Sequence, residues 1–145
     1  MKKAHLVYLE KEEFRESIGV IGIEAYLVLA DRIFDAISST PNCVSFQDYV
    51  KYFNILYNGS DIEKLTLTFK MIDIDKNGFI ERNDLKSLIF LLTELNFALT
   101  NTGSVADIEV KAEMVTDHIF KKLDVNNDKQ ISMEEFQDLI AKNQT

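Results

Sequence analysis

Apolar residues recur at intervals of three and four along most of this chain. This spacing puts them on one face of an α-helix and predicts stripes that face a core. The pattern is clearest at residues 26–37, 62–72, 85–92, 115–123 and 136–140. Five Gly and one Pro leave few turn signals, which also favours helices. The sequence therefore predicts an all-α protein.

Two polar segments of 12 residues follow two of these helices in the same phase. The first, loop I, spans residues 73–84, and the second, loop II, spans residues 124–135. Each has Phe four residues before it, Ile or Leu immediately before it, Ile at its eighth position and an apolar residue directly after it. The sequence therefore predicts two copies of one helix–loop–helix repeat.

Oxygen-bearing side chains occupy positions 1, 3, 5, 9 and 12 of both loops. They are Asp73, Asp75, Asn77, Glu81 and Asp84 in loop I, and Asp124, Asn126, Asp128, Ser132 and Glu135 in loop II. Position 7, Phe79 or Gln130, would add a backbone carbonyl. Ca²⁺ takes six to eight oxygens at about 2.3–2.6 Å, and a loop of this length can wrap one ion. Such residues also mark ordinary turns, but the matching phase favours two Ca²⁺ sites.

Each loop departs from the ideal ligand order at one position. Position 12 of loop I is Asp84, which is one methylene shorter than Glu and reaches an ion less easily with both oxygens. Six-coordination suits Mg²⁺, so we expect loop I to bind Mg²⁺ as well as Ca²⁺. Position 6 is Gly78 in loop I but Lys129 in loop II, where a positive φ costs about 1–2 kcal/mol. We expect Lys129 to weaken Ca²⁺ binding at loop II without abolishing it. We expect Glu135 to make loop II more selective for Ca²⁺ than loop I.

Two degraded copies of the repeat precede the intact ones. One has a loop of only 11 residues, 38–48, which includes the rigid Pro41, so we expect it to hold no metal. The other would begin at Lys2, and its second half, residues 9–14, matches residues 131–136 in phase. The chain is therefore expected to carry four repeats, of which two bind metal.

The apolar residue at position 8 predicts how the repeats pair. In the helix–loop–helix motif that these loops resemble, this residue lies in a short strand, so Ile80 should face Ile131, and Leu9 should face Val44. This pairing predicts an N-terminal lobe, residues 1–60, with two degenerate repeats, and a C-terminal lobe, residues 61–145, with two metal-binding repeats. Residues 93–107 are expected to form a loop insertion between the last two repeats.

Charge and composition exclude several classes of function. Residues 1–72 carry 10 acidic and 8 basic side chains, and residues 73–145 carry 14 acidic and 8 basic ones. The net charge of −8 argues against binding to nucleic acid or to anionic lipid. No apolar run is long enough to cross a bilayer, the start lacks a signal peptide, and Lys2 excludes N-myristoylation as the sequence stands. The single Cys43 permits no intrachain disulfide, so we expect a cytoplasmic protein.

These motifs resemble the EF-hand superfamily across nearly the whole chain. The layout is similar to that of calcineurin B subunits, neuronal calcium sensors, calaxin and, nearest by pattern, the calcium- and integrin-binding proteins. The last group shares two inactive N-terminal hands, a shortened second loop and Asp at position 12 of the third loop. The resemblance implies paired EF-hands in two lobes, with short antiparallel strand pairs between loops. It implies metal ligands at Asp73, Asp75, Asn77, Phe79, Glu81 and Asp84, and at Asp124, Asn126, Asp128, Gln130 and Glu135.

The function expected from this resemblance is calcium-dependent regulation of a partner protein. Occupancy of the C-terminal lobe by Ca²⁺, and by Mg²⁺, would expose an apolar groove that binds a partner helix. One alternative is a light-chain-like structural subunit with a permanent partner, and another is the regulatory region of a larger enzyme such as a kinase or phosphatase. Enzymatic activity is not expected, because the carboxylates stand at ligand spacing and His5 and His118 are isolated.

Overall fold

The computed structural model describes residues 7–19, 24–101 and 103–143. Helices connected by loops and very short strands make up these ranges, which confirms the predicted all-α class with strand pairs. The elements are β1 (Tyr8–Leu9), α1 (Lys11–Ser17), α2 (Glu24–Ile37), β2 (Val44–Ser45), α3 (Phe46–Asn58), α4 (Asp61–Ile72), β3 (Phe79–Glu81), α5 (Arg82–Thr100), α6 (Val105–Leu123), β4 (Gln130–Ser132) and α7 (Met133–Asn143). The predicted start of the first repeat, at Lys2, lies outside the described residues.

The chain divides into two compact units, Met1–Leu67 and Thr68–Thr145. The division expected from the sequence, after residue 60, stays a prediction. Within the described ranges, no helix is both long and apolar enough to cross a membrane.

The first unit is built around a small aromatic core. Phe14, Phe34 and Val44 are buried together, and the rings of Phe14 and Phe34 meet edge to face at 5.6 Å between centroids. β1 pairs antiparallel with β2, and Leu9 lies opposite Val44 as predicted. The strand pair thus joins the two degenerate repeats beside their shared core.

The second unit has the same arrangement around its own strand pair. β3 pairs antiparallel with β4, and Ile80 lies opposite Ile131, which confirms the predicted register. Both side chains are buried. Phe69 of α4 meets Phe136 of α7 edge to face at 5.8 Å between centroids. Phe69, four residues before loop I, therefore packs against Phe136, which directly follows loop II.

The predicted loop insertion at residues 93–107 is wrong. α5 continues to its end at residue 100, α6 begins at residue 105, and only residues 101–104 connect them. Leu95 is buried and continues the apolar face of α5. Asn101 ends α5 in the left-handed conformation, and Ser104 begins α6 with a capping box. Two 19-residue helices, rather than a loop, account for the long interval between the repeats.

α5 and α6 form the most extensive helix–helix contact of the described structure. The buried face of α6 includes Ile108, Ala112 and Thr116. The hydroxyl of Thr116 donates to the carbonyl of Ala112 at 2.6 Å, so this buried polar group is satisfied. Small side chains on this face allow a neighbouring helix to approach closely.

Candidate metal-binding site

Loop I joins α4 to β3 and α5, and its first half is organised by three side chains. The carboxylate of Asp73 accepts the backbone N–H groups of Asn77 at 3.2 Å and Gly78 at 3.0 Å. Asp75 accepts the same N–H of Asn77 at 3.2 Å. The side-chain oxygen of Asn77 accepts the N–H of Phe79 at 2.8 Å. The side chains at positions 1, 3 and 5 are therefore gathered around one stretch of backbone.

Loop II contains the same network, position by position. Asp124 accepts the backbone N–H groups of Asp128 at 3.1 Å and Lys129 at 3.0 Å. Asn126 accepts the same N–H of Asp128 at 3.2 Å, and Asp128 accepts the N–H of Gln130 at 2.9 Å. Carboxylates and amide oxygens keep further lone pairs after accepting these bonds, so they can still act as ligands.

The backbone of the two loops also matches at positions 4 and 6. Position 4 has φ of 57° at Lys76 and 58° at Asn127, and position 6 has φ of 86° at Gly78 and 68° at Lys129. The positive φ predicted for Lys129 is therefore confirmed. A Cβ at Gly78 would meet no atom within 4 Å, so this position needs glycine for its conformation rather than for space.

Position 12 of each loop caps the helix that leaves the loop. Asp84 accepts the N–H of Glu81 at 3.0 Å, and Glu135 accepts the N–H of Ser132 at 3.0 Å. In the part of the chain that the structure describes, no three or more His, Cys, Asp or Glu residues are arranged to hold a metal ion. The structure thus brings positions 1, 3 and 5 together, while position 12 is bonded to position 9.

The first carboxylate of loop I is buried near a second carboxylate. Asp73 is only 6% exposed. This burial raises its pKa, backbone hydrogen bonds from Gly78 and Asn77 oppose the rise, and the nearby carboxylate of Asp75 adds to it. Asp124 is buried at the same position of loop II. Because burial and a second carboxylate both disfavour the charged form, a cation beside Asp73 would be stabilised.

The short loop at residues 38–48 is closed by its own side chains. Asp48 is its only carboxylate, and one oxygen of Asp48 accepts the N–H of Ser39 at 3.3 Å, the hydroxyl of Ser39 at 2.9 Å and the N–H of Ser45 at 3.1 Å. Burial acts to raise the pKa of Asp48, but these hydrogen bonds outweigh it and lower the pKa. Donors from both ends of the loop already bond the carboxylate, which favours the prediction that this loop holds no metal.

A group of charged residues in the second unit was not singled out from the sequence. Arg82 and Lys86 of α5 form ion pairs with Glu113 and Asp117 of α6. The hydrogen bonds from Lys86 and Arg82 lower the pKa of Glu113. The signal in the sequence is a basic pair spaced by four residues and an acidic pair with the same spacing, but it does not show which helices face each other.

Comparison with known proteins assigns the chain to a family. A family model described as an EF-hand domain pair matches residues 62–141, more than half of the chain. Guanylyl cyclase-activating protein 1 of Lithobates pipiens is 28% identical over 138 residues, which cover 94% of this chain and 63% of that protein. A recoverin family protein of Dictyostelium discoideum is 33% identical over 116 residues, which cover 73% of this chain and 52% of that protein.

A human relative shows a similar degree of likeness. Guanylyl cyclase-activating protein 3 of Homo sapiens is 27% identical over 137 residues, which cover 91% of this chain and 60% of that protein. The chain thus spans less than two thirds of the length of each of these three relatives. They are members of the neuronal calcium sensors, one of the groups that the sequence resembles. With its matched loops and paired strands, the chain belongs to the EF-hand family of calcium-binding regulatory proteins.

Proposed function

We propose that this protein is a calcium-responsive regulator whose second unit binds two cations and, as a result, a helix of a partner protein. The observation that carries the proposal is the shared loop network. In both loops, the side chains of positions 1, 3 and 5 accept the N–H groups of positions 5, 6 and 7, with positive φ at positions 4 and 6. The opposed Ile80 and Ile131 join the loops into one pair.

We propose as metal ligands the residues that were expected from the sequence. They are Asp73, Asp75, Asn77, Phe79, Glu81 and Asp84, with Asp124, Asn126, Asp128, Gln130 and Glu135. All offer the hard oxygen donors that Ca²⁺ and Mg²⁺ require, with Phe79 and Gln130 contributing their backbone carbonyls. A bound cation would supply positive charge to the buried carboxylates at position 1. The capping bonds of Asp84 and Glu135 engage one oxygen of each carboxylate, so both side chains keep lone pairs for a cation.

The two loops are proposed to differ in ion preference. Asp84 has one methylene fewer than Glu135, so it has the shorter reach toward a cation while it bonds the N–H of residue 81. Loop I therefore suits Mg²⁺ as well as Ca²⁺, whereas loop II suits Ca²⁺. Under this proposal, loop II carries more of the response to Ca²⁺.

Exposed apolar side chains on the second unit support binding of a partner helix. Leu92 of α5 is 47% exposed, and Val110 and Met114 of α6 are 59% and 67% exposed. Val110 and Met114 are four residues apart and so share one face of α6, and exposed apolar patches mark interaction sites. Since two of the relatives are named for activation of guanylyl cyclase, a guanylyl cyclase is the partner class to test first.

Calorimetric titration with Ca²⁺ and with Mg²⁺ tests the metal sites directly. The wild type is expected to bind two Ca²⁺, whereas Asp73→Ala and Asp124→Ala should each bind one. Glu134→Ala is the matched control, because Glu134 is an exposed acidic residue beside the proposed ligand Glu135. No binding heat from either ion, with no protection against unfolding, would refute the proposed sites.

A permanently bound, light-chain-like role is the second candidate. It is supported by the closure of the short loop by Asp48, which leaves this loop without a site through which Ca²⁺ could switch the first unit. The two roles differ in the effect of a chelator on a bound partner. Release of a guanylyl cyclase fragment by chelator supports the responsive role, whereas retention supports the permanent one.

A further inference from the structure

Charged side chains join the helix that leaves loop I to the helix that enters loop II. Arg82 is the first residue of α5 and directly follows β3. Its guanidinium donates from Nε to Asp117 at 2.8 Å and from Nη2 to Glu113 at 2.5 Å. Lys86, one turn further along α5, also donates to Glu113. These four residues, called here the α5–α6 brace, set the register of one helix against the other.

The geometry of the brace is stronger than that of an ordinary surface ion pair. Isolated exposed pairs contribute little because water and salt screen them. Here one guanidinium bonds two carboxylates at once, and one of those carboxylates bonds a second cation. The side chains of Arg82, Lys86 and Glu113 are 37%, 28% and 39% exposed, whereas that of Asp117 is 65% exposed. A forked, partly buried arrangement of this kind fixes orientation as well as adding energy.

The brace lies next to the apolar contact between the same helices. On α6, Glu113 and Asp117 directly follow the fully buried Ala112 and Thr116. The buried face of α6 and the brace therefore run side by side along two successive turns of α6, whose most extensive helix contact is with α5. Two helices joined in both ways are expected to move as one body rather than to slide independently.

Both proposed metal sites adjoin the same end of this body. The first turn of α5 contains Asp84, at position 12 of loop I, and α6 ends at Leu123, immediately before Asp124 of loop II. We propose that the α5–α6 brace couples the two loops, with Arg82 as a positioning residue. Reorientation of the first turn of α5 when Asp84 binds an ion is transmitted to α6, which changes the affinity of loop II. This coupling rests on the proposed function and adds a second connection to that made by β3 and β4.

A thermodynamic cycle measures the coupling. The Ca²⁺ affinity of loop II is determined by calorimetry with loop I intact and with loop I disabled by Asp73→Ala. The ratio of these affinities is the coupling factor. The same pair of measurements is then made in the Arg82→Gln background. We expect the coupling factor to fall by about 2- to 30-fold, the range typical of residues that transmit coupling without touching a ligand.

Further variants separate coupling from stability. Glu113→Gln removes the acceptor shared by Arg82 and Lys86 and should reduce the coupling factor in the same way. Arg15→Gln is the matched control, because Arg15 makes a forked pair with Asp31 at 2.6 and 2.7 Å in the first unit. It should lower the melting temperature and leave the coupling factor unchanged.

The outcomes distinguish this inference from the proposed function. A lower melting temperature in Arg82→Gln with an unchanged coupling factor would make the brace purely structural and overturn the inference. Two occupied loops with no coupling in the wild type would overturn it as well. Absence of Ca²⁺ binding in the wild type would refute the proposed function and the coupling together.

Discussion

Replacing Lys129 with glycine should stabilise the metal-free second unit. Lys129 has φ of 68°, and its N–H bond to Asp124 at 3.0 Å is retained by glycine. A non-glycine residue in the left-handed conformation costs about 1–2 kcal/mol of folding free energy, and glycine removes this cost. The greater freedom of glycine in the unfolded chain offsets about 0.4–1 kcal/mol of this. The net gain is therefore about 0–1.6 kcal/mol with a midpoint of about 0.8 kcal/mol, which corresponds to roughly 3–6 °C in melting temperature for a unit of this size.

The assay must show whether the strain at Lys129 is already present in the metal-free protein or arises only when metal binds. We predict that Lys129 keeps its positive φ before metal binds, because its N–H already bonds Asp124 within loop II. Thermal unfolding in chelator should therefore reveal the gain, and the Ca²⁺ affinity of loop II should rise by less than about threefold, equivalent to about 0.6 kcal/mol. If the metal-free loop were relaxed instead, the strain of about 1–2 kcal/mol would arise on binding, and its removal would raise the Ca²⁺ affinity about 5- to 30-fold.

Gly78→Ala is the matched control, because it introduces the same strain at position 6 of loop I. A Cβ there meets no atom within 4 Å, so the effect comes from the φ of 86° alone. We expect it to destabilise the protein in chelator by about 0.8 kcal/mol, because the lower freedom of alanine in the unfolded chain offsets part of the strain of about 1–2 kcal/mol. A Lys129→Gly protein that melts no higher in chelator but binds Ca²⁺ tenfold more tightly would refute a preformed loop II.

Three further predictions concern the loops individually. Asp84→Glu should restore a longer ligand, so that Mg²⁺ competes with Ca²⁺ at loop I about tenfold less effectively in calorimetric competition; unchanged competition would contradict the role given to Asp84. Glu135→Gln should weaken Ca²⁺ binding at loop II by about 1.5–3 kcal/mol, the usual contribution of a charged partner, whereas Glu134→Gln should not; equal losses would point to a general charge effect. The lowered pKa of Asp48 means that its contribution to stability is present above the unfolded value of 3.8 and is lost as pH falls through its lower folded value. Urea unfolding between about pH 5 and pH 2 should therefore show a steeper acid loss in the wild type than in Asp48→Asn, and identical profiles would exclude this contribution.

Features that depend on a few neighbouring residues were predictable from the sequence. The ligand order of loops I and II, the pairing of Ile80 with Ile131 and the positive φ of Lys129 all follow from one short repeat that occurs in phase. The pairing of Leu9 with Val44 was predictable even where the loops have degenerated, because the apolar residue of the strand is kept. The error at residues 93–107 came from treating a polar cluster as a loop, although the turn residues needed to end α5 and begin α6 occupy only residues 101–104.

The sequence by itself determined the repeat, the oxygen-bearing side chains at each loop position and the strand pairs. It did so because a ligand order and a helical period are local properties, which can be counted along the chain. Only the tertiary structure decided that Arg82 reaches Glu113 and Asp117, which are 31 and 35 residues away, and that Asp48 closes the short loop. Such contacts depend on the relative register of two packed helices, or on the path of a folded loop. Both are decided by packing across the core rather than by any run of neighbouring residues.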